Sequence, residues 1–306
     1  MPTSSSRILC LHGYAQNARM FEGKLTDVRR ALGERVELVF VDAPNILVRP
    51  TLSSQPSSES DAPSTGEPRS WWQWSSNQGF GDLKELDRVI SYLRQVVETQ
   101  GPFDGIFGFS MGAAAAALLT ALLERPAVHP IFAAPAQNAV AWPPPPFRFA
   151  VLCNAYLPGE RMCWDWFSPP TATPSLHVLG RGDVVVDNEW SSVLVSRFSD
   201  PQVAWHGGGH HIPRRKPALT NLIRSFILSH AKHTTTPSPS SSPSSSASRL
   251  SFTPDPTTFP FIVIPIKVIE QASAMQQEEV LDRKMRELSR KLQAETEVTT
   301  VGEVWV

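Results

Sequence analysis

The chain has 306 residues, of which 41% are hydrophobic and 19% charged, and its formal net charge at pH 7 is −1. A near-neutral chain without a basic stripe argues against nucleic acid as a partner. Its longest apolar run, residues 111–123, is too short to span a bilayer and suits a buried helix instead.

The N-terminal segment and the cysteines indicate where such a protein would reside. Residues 1–11 place one arginine and only four apolar residues before His12, which is unlike a secretory signal. The three cysteines are odd in number and lack metal-type spacing. Cys10 and Cys153 fall within apolar strand-like runs, so we interpret them as reduced packing residues. These features predict a protein of the cytoplasm or nucleus.

Hydrophobic periodicity predicts strands that alternate with helices. The predicted strands are residues 7–12, 36–41, 105–108, 149–153, 175–180 and 202–205. The predicted helices are residues 20–32, 83–97, 111–123, 189–198 and 217–228. Such alternation is typical of the α/β class, with a mostly parallel sheet and helices on both of its faces. A Pro/Ser-rich insertion at residues 45–68 interrupts this pattern and is interpreted as a flexible loop or lid.

The composition changes sharply near residue 232. Residues 234–248 are nearly all Thr, Pro and Ser and bury too little apolar surface to become ordered. We therefore predict a folded domain at 1–232, a disordered linker at 233–258 and a C-terminal extension at 259–306. Within the extension, residues 271–293 are predicted to form a helix whose apolar side chains are candidates for docking a protein partner.

Ser110 stands at a predicted strand-to-helix turn. The sequence Gly108-Phe-Ser-Met-Gly112 has the form G-x-S-x-G of a nucleophile elbow, in which glycine removes clashes two residues before and after the serine. The helix that follows would direct free amides and the positive end of its dipole toward the serine. Because this motif also occurs by chance, the interpretation requires catalytic partners elsewhere in the chain.

A serine nucleophile needs an imidazole to take its proton and a carboxylate to orient that imidazole. In the α/β-hydrolase chain order, the acid follows a late strand and the histidine follows the last strand. Asp183 lies just beyond the strand at 175–180, which is where sites form in parallel sheets. Asp165 and Asp187 are competing carboxylates, but placement at a strand end favours Asp183.

Three histidines follow the last predicted strand. His210 comes directly after three glycines that give the backbone freedom to return over the serine, so it is the favoured base. His211 remains the main alternative, whereas His206 adjoins the strand and is interpreted as structural. His177 falls inside a strand pattern, where a core role is more common than catalysis. Glycines at 207–209 oppose the helix that a metal site at these histidines would need, so neither a metal nor a cofactor is predicted.

Acyl transfer also requires backbone donors for the oxyanion and a site for the substrate. The amides of Met111 and Tyr14 are the predicted donors, one after the nucleophile and one after the first strand. Tyr14 and Trp72 are the predicted substrate-binding residues, in an apolar pocket to which Trp71 and Trp74 also contribute. The alternative is that these tryptophans only pack a lid onto the core.

Six segments together resemble the FSH family of serine hydrolases. They are residues 9–14 (LCLHGY), 40–44 (FVDAP), 69–72 (RSWW), 105–112 (GIFGFSMG), 177–183 (HVLGRGD) and 208–213 (GGHHIP). The resemblance covers about residues 7–230 and implies an α/β-hydrolase fold with Ser110, Asp183 and His210 as the catalytic triad. It also implies that the first histidine of the adjacent pair is the base. The long insertion and the tail after residue 232 depart from the family.

The function predicted from these residues is ester hydrolysis through an acyl-enzyme intermediate on a small-molecule substrate. A thioesterase that releases acyl or polyketide chains from carrier-protein or coenzyme A thioesters would need the same triad, and the sequence does not separate the two. A hydrolase fold that serves only as an interaction module is a third hypothesis, which the intact triad opposes.

Overall fold

A computed structural model describes residues 5–47, 66–72, 83–135, 141–158 and 161–231. The centre of the predicted insertion, Trp74, the linker at 233–258 and the predicted helix at 271–293 lie outside the described residues. Within the described ranges, no helix combines the length and apolar character needed to cross a membrane.

Six strands form one sheet in which every neighbouring pair is parallel, as predicted. The described residues contain eight strands in all: β1 (Ser6–Leu11), β2 (Val36–Val41), β3 (Asn45–Ile46), β4 (Arg69–Ser70), β5 (Gly105–Phe109), β6 (Phe149–Cys153), β7 (Ser175–Gly180) and β8 (Pro201–His206). The sheet order is β2-β1-β5-β6-β7-β8, while β3 and β4 form a separate antiparallel pair. The serine-bearing strand β5 therefore lies inside the sheet, between β1 and β6.

The helices include all five predicted ones, with changes in two of them, and two short helices that were not predicted. In chain order the helices are α1 (Ala18–Lys24), α2 (Thr26–Leu32), α3 (Leu83–Gln100), α4 (Met111–Glu124), α5 (Pro130–Ala133), α6 (Arg161–Asp165), α7 (Asn188–Val195) and α8 (Pro217–His230), with 3-10 turns at Gly33–Arg35 and Pro126–Val128. The two that were not predicted are α5 and α6. The single helix predicted at 20–32 is divided at Leu25, whose ψ of 11° leaves the helical range. The helix predicted at 189–198 ends early, at Val195.

The sheet is covered on both faces because successive strand residues point in opposite directions. In β1, Leu9 and Leu11 pack with α3, α4 and α7 in one apolar core. Ile8 and Cys10 face the second core, which is closed by α1, α2 and α8. All three cysteines are buried and free, which confirms the packing role predicted for Cys10 and Cys153.

Parallel strands bring their carboxyl ends to one edge, where functional side chains collect in this class of fold. Ser110 directly follows β5, Asn154 directly follows β6, and Asp183 is the third residue after β7. His210 lies in the loop after β8. Four positions that are separated by as much as a hundred residues in sequence thus share one edge of the sheet.

Candidate active site

The turn at Ser110 has the strained geometry of a nucleophile elbow. Ser110 has φ 53° and ψ −124°, a conformation that non-glycine residues seldom adopt. The turn leaves no room for side chains on either flank. A Cβ on Gly108 would lie 2.4 Å from Ala113 Cα, and one on Gly112 would lie 2.2 Å from the carbonyl oxygen of His12. The amide of Ser110 donates to Cys153 O at 2.9 Å, which fixes the turn to β6.

Two backbone segments lie beside this serine, the loop after β1 and the start of α4. An ideal Cβ on Gly13 would lie 3.3 Å from Ser110 Cβ, so the loop after β1 passes directly beside the nucleophile. Helix α4 begins at Met111, and its aligned dipoles place partial positive charge beside Ser110. The amides of Tyr14 and Met111 donate to no acceptor among the described residues. Both are therefore free to bind a developing anion.

A buried histidine holds the loop that carries Tyr14. His12 Nε2 accepts the Ala43 amide at 3.0 Å, so Nδ1 carries the proton and donates to Gly13 O at 2.7 Å. Burial lowers the pKa of His12 to about 4, so the ring is neutral near pH 7. The Trp71 indole donates to His12 O at 2.7 Å and ties this loop to the segment after β4. The roles of His12 and Trp71 were not predicted, although both lie in the motifs that carry the family resemblance.

His210 connects the serine to the carboxylate. Its Nε2 lies 2.8 Å from Ser110 Oγ, and its Nδ1 lies 2.7 Å from Asp183 Oδ2. The side chain of Asp183 is 1% exposed and that of His210 is 16% exposed. The ring of His210 packs against Phe109, with centroids 5.1 Å apart. The structure thus brings together the three side chains that the sequence analysis selected.

Asp183 accepts four hydrogen bonds. Oδ1 accepts the amides of Val185 and Val186, both at 2.9 Å. Oδ2 accepts the Asn154 side-chain amide at 2.6 Å in addition to the bond from His210. Burial alone would raise the pKa of Asp183, but these donors and the neighbouring His210 lower it below its ordinary value. Asp183 is therefore ionised near pH 7 and holds the proton of His210 on Nδ1.

The two loops that carry Asp183 and His210 dock backbone to backbone. Arg181 N donates to His206 O at 2.9 Å, and Gly182 N donates to Gly208 O at 3.0 Å. A Cβ on Gly180 would lie 2.3 Å from Gly209 O, so this approach requires glycine. These bonds continue the pairing of β7 with β8 beyond the ends of the strands.

The other candidate histidines occupy different surroundings. His206 Nδ1 accepts the Gly208 amide at 3.2 Å, and burial lowers the pKa of His206 to about 4. The ring of His211 stands against His206, with centroids 5.4 Å apart. His177 is buried in β7 beside Ser175 Oγ at 3.1 Å. In the described part of the chain, no three His, Cys, Asp or Glu side chains are grouped so that they could hold a metal ion.

The aromatic residues predicted to bind substrate lie near the site but are mostly buried. Trp72 is 2% exposed and Tyr14 is half-buried, and both pack in the core that contains Met111. Tyr156, just beyond β6, lies in the same core with its ring 6.0 Å from that of Trp190. A substrate-binding role for Tyr14 and Trp72 stays a prediction.

Asn154 contacts the site but was not predicted. It follows β6 directly, with φ 49°, and its side chain donates to Asp183 across 29 residues of sequence. A polar residue straight after a buried strand is the only local signal for it, because the contact with Asp183 arises from the pairing of β6 with β7.

We expect the substitution Gly112→Ala to lower both stability and activity. The added methyl group would contact the backbone oxygens of His12 and Leu11 at 2.2 and 2.3 Å, so α4 must move away from β1. Such overpacking costs about 1–3 kcal/mol, and the displaced amide of Met111 should lower kcat by about 10-fold or more. Chemical denaturation and initial rates measure the two effects.

Gly23→Ala is the matched control for this substitution. Gly23 lies in α1, and a Cβ there would meet nothing within 4 Å. Alanine favours helix over glycine by about 0.5–1 kcal/mol, so stability should stay equal or rise. A Gly112→Ala protein as stable and active as the Gly23→Ala protein would contradict the close packing of α4 on β1.

Comparisons with known proteins agree with this geometry. The family described as serine hydrolase (FSH1) matches residues 1–222. The chain is 35% identical over 221 residues to esterase OVCA2 of Bos taurus, covering 69% of this chain and 91% of that protein. It is 28% identical over 245 residues to esterase GA18864 of Drosophila pseudoobscura pseudoobscura, covering 76% and 75% of the two chains.

A solved structure supports the fold. The crystal structure of esterase PE8 has a TM-score of 0.50 and 16% sequence identity to this chain, covering 74% of this chain and 94% of that one. At this identity, the likeness concerns the fold alone. The sheet topology, the nucleophile turn and the match over residues 1–222 lead to one conclusion: the chain belongs to the FSH1 family of serine hydrolases.

Proposed function

We propose that this serine hydrolase cleaves carboxylic esters through an acyl-enzyme formed on Ser110. Its main support is the line of hydrogen bonds from Ser110 Oγ to His210 Nε2 and from His210 Nδ1 to Asp183 Oδ2, at 2.8 and 2.7 Å. His210 takes the serine proton as Oγ bonds to the substrate carbonyl carbon, and it then returns the proton to the departing alcohol. Water, activated by the same ring, hydrolyses the acyl-enzyme.

The oxyanion of each tetrahedral intermediate is stabilised by the amides of Met111 and Tyr14. The Met111 amide adds the field of the α4 N-terminus, and the Tyr14 amide follows Gly13, which lies against Ser110. Donors fixed in a partly buried site need no reorganisation during reaction, and one such donor contributes about 3–4 kcal/mol. The bonds that His12 makes keep the Tyr14 loop rigid for this task.

The acyl or aromatic part of the substrate binds among apolar side chains, with Tyr14 and Trp72 as contact residues. Tyr14 is half-buried, and Trp72 lies in the apolar core that includes Met111, immediately after the nucleophile. Indole and phenol rings offer large apolar surfaces with one polar edge, which suits a pocket that orients an acyl group.

A paired series of O-alkyl esters and S-alkyl thioesters with identical acyl chains tests the bond that is cleaved. We expect a higher kcat/KM for the oxygen ester once each rate is divided by that of hydroxide hydrolysis, because the relatives compared above are named esterases. The acyl chain is then lengthened stepwise to define the pocket. A preference for the thioester at every chain length would replace ester hydrolysis with thioester cleavage as the function.

Labelling with a fluorophosphonate probe tests the alternative that the fold is a non-catalytic interaction module. We expect the wild-type protein to be labelled on Ser110, because the probe reports a serine activated by a neighbouring base. A folded wild-type protein that remains unlabelled would favour the interaction module.

A further inference from the structure

Asn154 makes the shortest contact to the carboxylate of Asp183. Its Nδ2 lies 2.6 Å from Asp183 Oδ2, the same oxygen that accepts His210 Nδ1 at 2.7 Å. Asn154 is 1% exposed, so water cannot readily replace its amide as a donor. Asp183 Oδ2 thus accepts two hydrogen bonds, one from an uncharged amide and one from the ring that faces Ser110.

The backbone around Asn154 reaches the nucleophile as well. Asn154 N donates to Val178 O at 2.9 Å, which holds the residue between β6 and β7. The preceding residue, Cys153, accepts the amide of Ser110 at 2.9 Å. Two consecutive residues at the end of β6 therefore bind the serine turn on one side and the acid on the other.

The backbone conformation at this position narrows the choice of side chain. The φ of 49° lies in the left-handed region, which asparagine tolerates better than other side chains that carry Cβ. Glycine also adopts this φ without strain, but it has no side chain that could donate a hydrogen bond to Asp183. The local geometry and the contact to Asp183 therefore both favour asparagine.

We propose that Asn154 is a positioning residue that fixes the orientation of Asp183 and limits how strongly this carboxylate increases the basicity of His210. The proposal rests on the proposed function, since it concerns the same Ser110, His210 and Asp183. By donating to Oδ2, the amide withdraws negative charge from the oxygen that stabilises the imidazolium. Without the amide, Oδ2 would interact with His210 alone.

Two further histidines, His206 and His211, lie near Asp183 and His210. His206 is close enough to Asp183 for their charges to interact, and His211 stands against His206. Burial lowers the pKa of His206 to about 4, so this ring stays neutral through the titration of an ordinary histidine. The charge of His206 therefore stays constant over the pH range in which the Asn154 contact is tested.

The test compares Asn154→Gly with Asn154→Ala. Both remove the amide, so in both the midpoint of the His210 NMR titration and the acid limb of kcat/KM should move to higher pH than in the wild type. Both should also lower kcat by about 10-fold, with KM unchanged because Asn154 is only 1% exposed. Alanine is strained at this φ, so Asn154→Ala should be the less stable of the two. If both variants show the same shift of the pH profile although their stabilities differ, the shift is due to loss of the amide and not to a change in the backbone.

Ser191→Ala is the matched control. Ser191 is buried, and its Oγ donates to Ala155 O at 2.8 Å, so this change removes a hydrogen bond from the same segment without touching Asp183. Its loss should leave the pKa of His210 and the acid limb of the pH profile unchanged, even if stability falls.

The pKa of His210 is measured by NMR on protein that contains 13C-labelled histidine, with the His210 signal assigned through His210→Gln. The acid limb of kcat/KM is recorded in parallel. An upward shift in both Asn154 variants, absent in Ser191→Ala, supports the proposal; no shift, or an equal shift in Ser191→Ala, overturns it. The NMR titration needs no catalysis, so activity that survives in Ser110→Ala would defeat the proposed function while leaving this test intact.

Discussion

The substitution Ser110→Ala is expected to abolish ester hydrolysis. Removal of Oγ leaves no atom to form the acyl-enzyme, and losses of the nucleophile in serine hydrolases reach about 10⁶-fold in kcat. Within the described residues, the Ser110 side chain makes one hydrogen bond, with His210 Nε2 at 2.8 Å. The hydrogen bond from the Ser110 backbone amide to Cys153 O does not depend on the side chain. The variant should therefore fold as the wild type does, with substrate binding retained.

Steady-state kinetics and fluorophosphonate labelling measure this loss. Ser192→Ala is a suitable control, because Ser192 Oγ donates to Asn188 O within α7 and lies outside the site. If Ser110→Ala keeps wild-type kcat, another residue is the nucleophile and the proposed mechanism is wrong.

The second large effect is expected for Asp183→Asn, with a decrease in kcat of about 10⁴-fold. Asp183 Oδ2 accepts hydrogen bonds from His210 and Asn154 at once, so an amide NH₂ at that position would face two donors. If the new amide instead turns its oxygen toward them, its NH₂ meets the amides of Val185 and Val186. With the NH₂ toward His210, the ring must carry its proton on Nε2 and cannot accept one from Ser110. With the oxygen toward His210, two donors face the new NH₂, and the imidazolium that forms has no negative charge beside it.

Asp187→Asn is the control for this substitution. Asp187 is also a carboxylate downstream of Ser110, but its Oδ1 accepts the Glu189 amide at 2.9 Å as the N-cap of α7. Asparagine caps helices about as well as aspartate, so activity should not change. Equal losses in the two variants would remove the basis for assigning the acid to Asp183.

The substitution Asp183→Asn should also change how the stability of the protein depends on pH. The pKa of Asp183 lies below its ordinary value of 3.8 in the folded protein, so its ionisation stabilises the fold above that ordinary value. This contribution disappears as the pH falls through the lowered pKa. Thermal unfolding between about pH 2 and 6 should therefore show a shallower acid dependence in Asp183→Asn than in wild type.

Much of the site could be predicted because its signals are local. Glycines at 108 and 112 mark the elbow, and Asp183 and His210 follow apolar runs in the chain order that the fold requires. The confirmed strands β2, β6 and β7 have the predicted bounds, since buried parallel strands appear as short apolar runs.

The rest depends on contacts that span long stretches of sequence. Leu25 divides the first predicted helix where its fully buried side chain enters the core beneath β1, which periodicity alone does not reveal. His12 and Trp71 are joined across 59 residues, and Asn154 and Asp183 across 29. Such partners are fixed by the arrangement of the strands, so one chain read in order does not identify them.

The docking of Gly182 against Gly208, and of Gly180 against Gly209, has a consequence for how specificity can change. At these glycines the distance between the two loops is set by main-chain atoms alone. Side chains outside these two loops take no part in this docking. Enzymes redesigned at such side chains could accept new acyl groups while the distance between the two loops is kept.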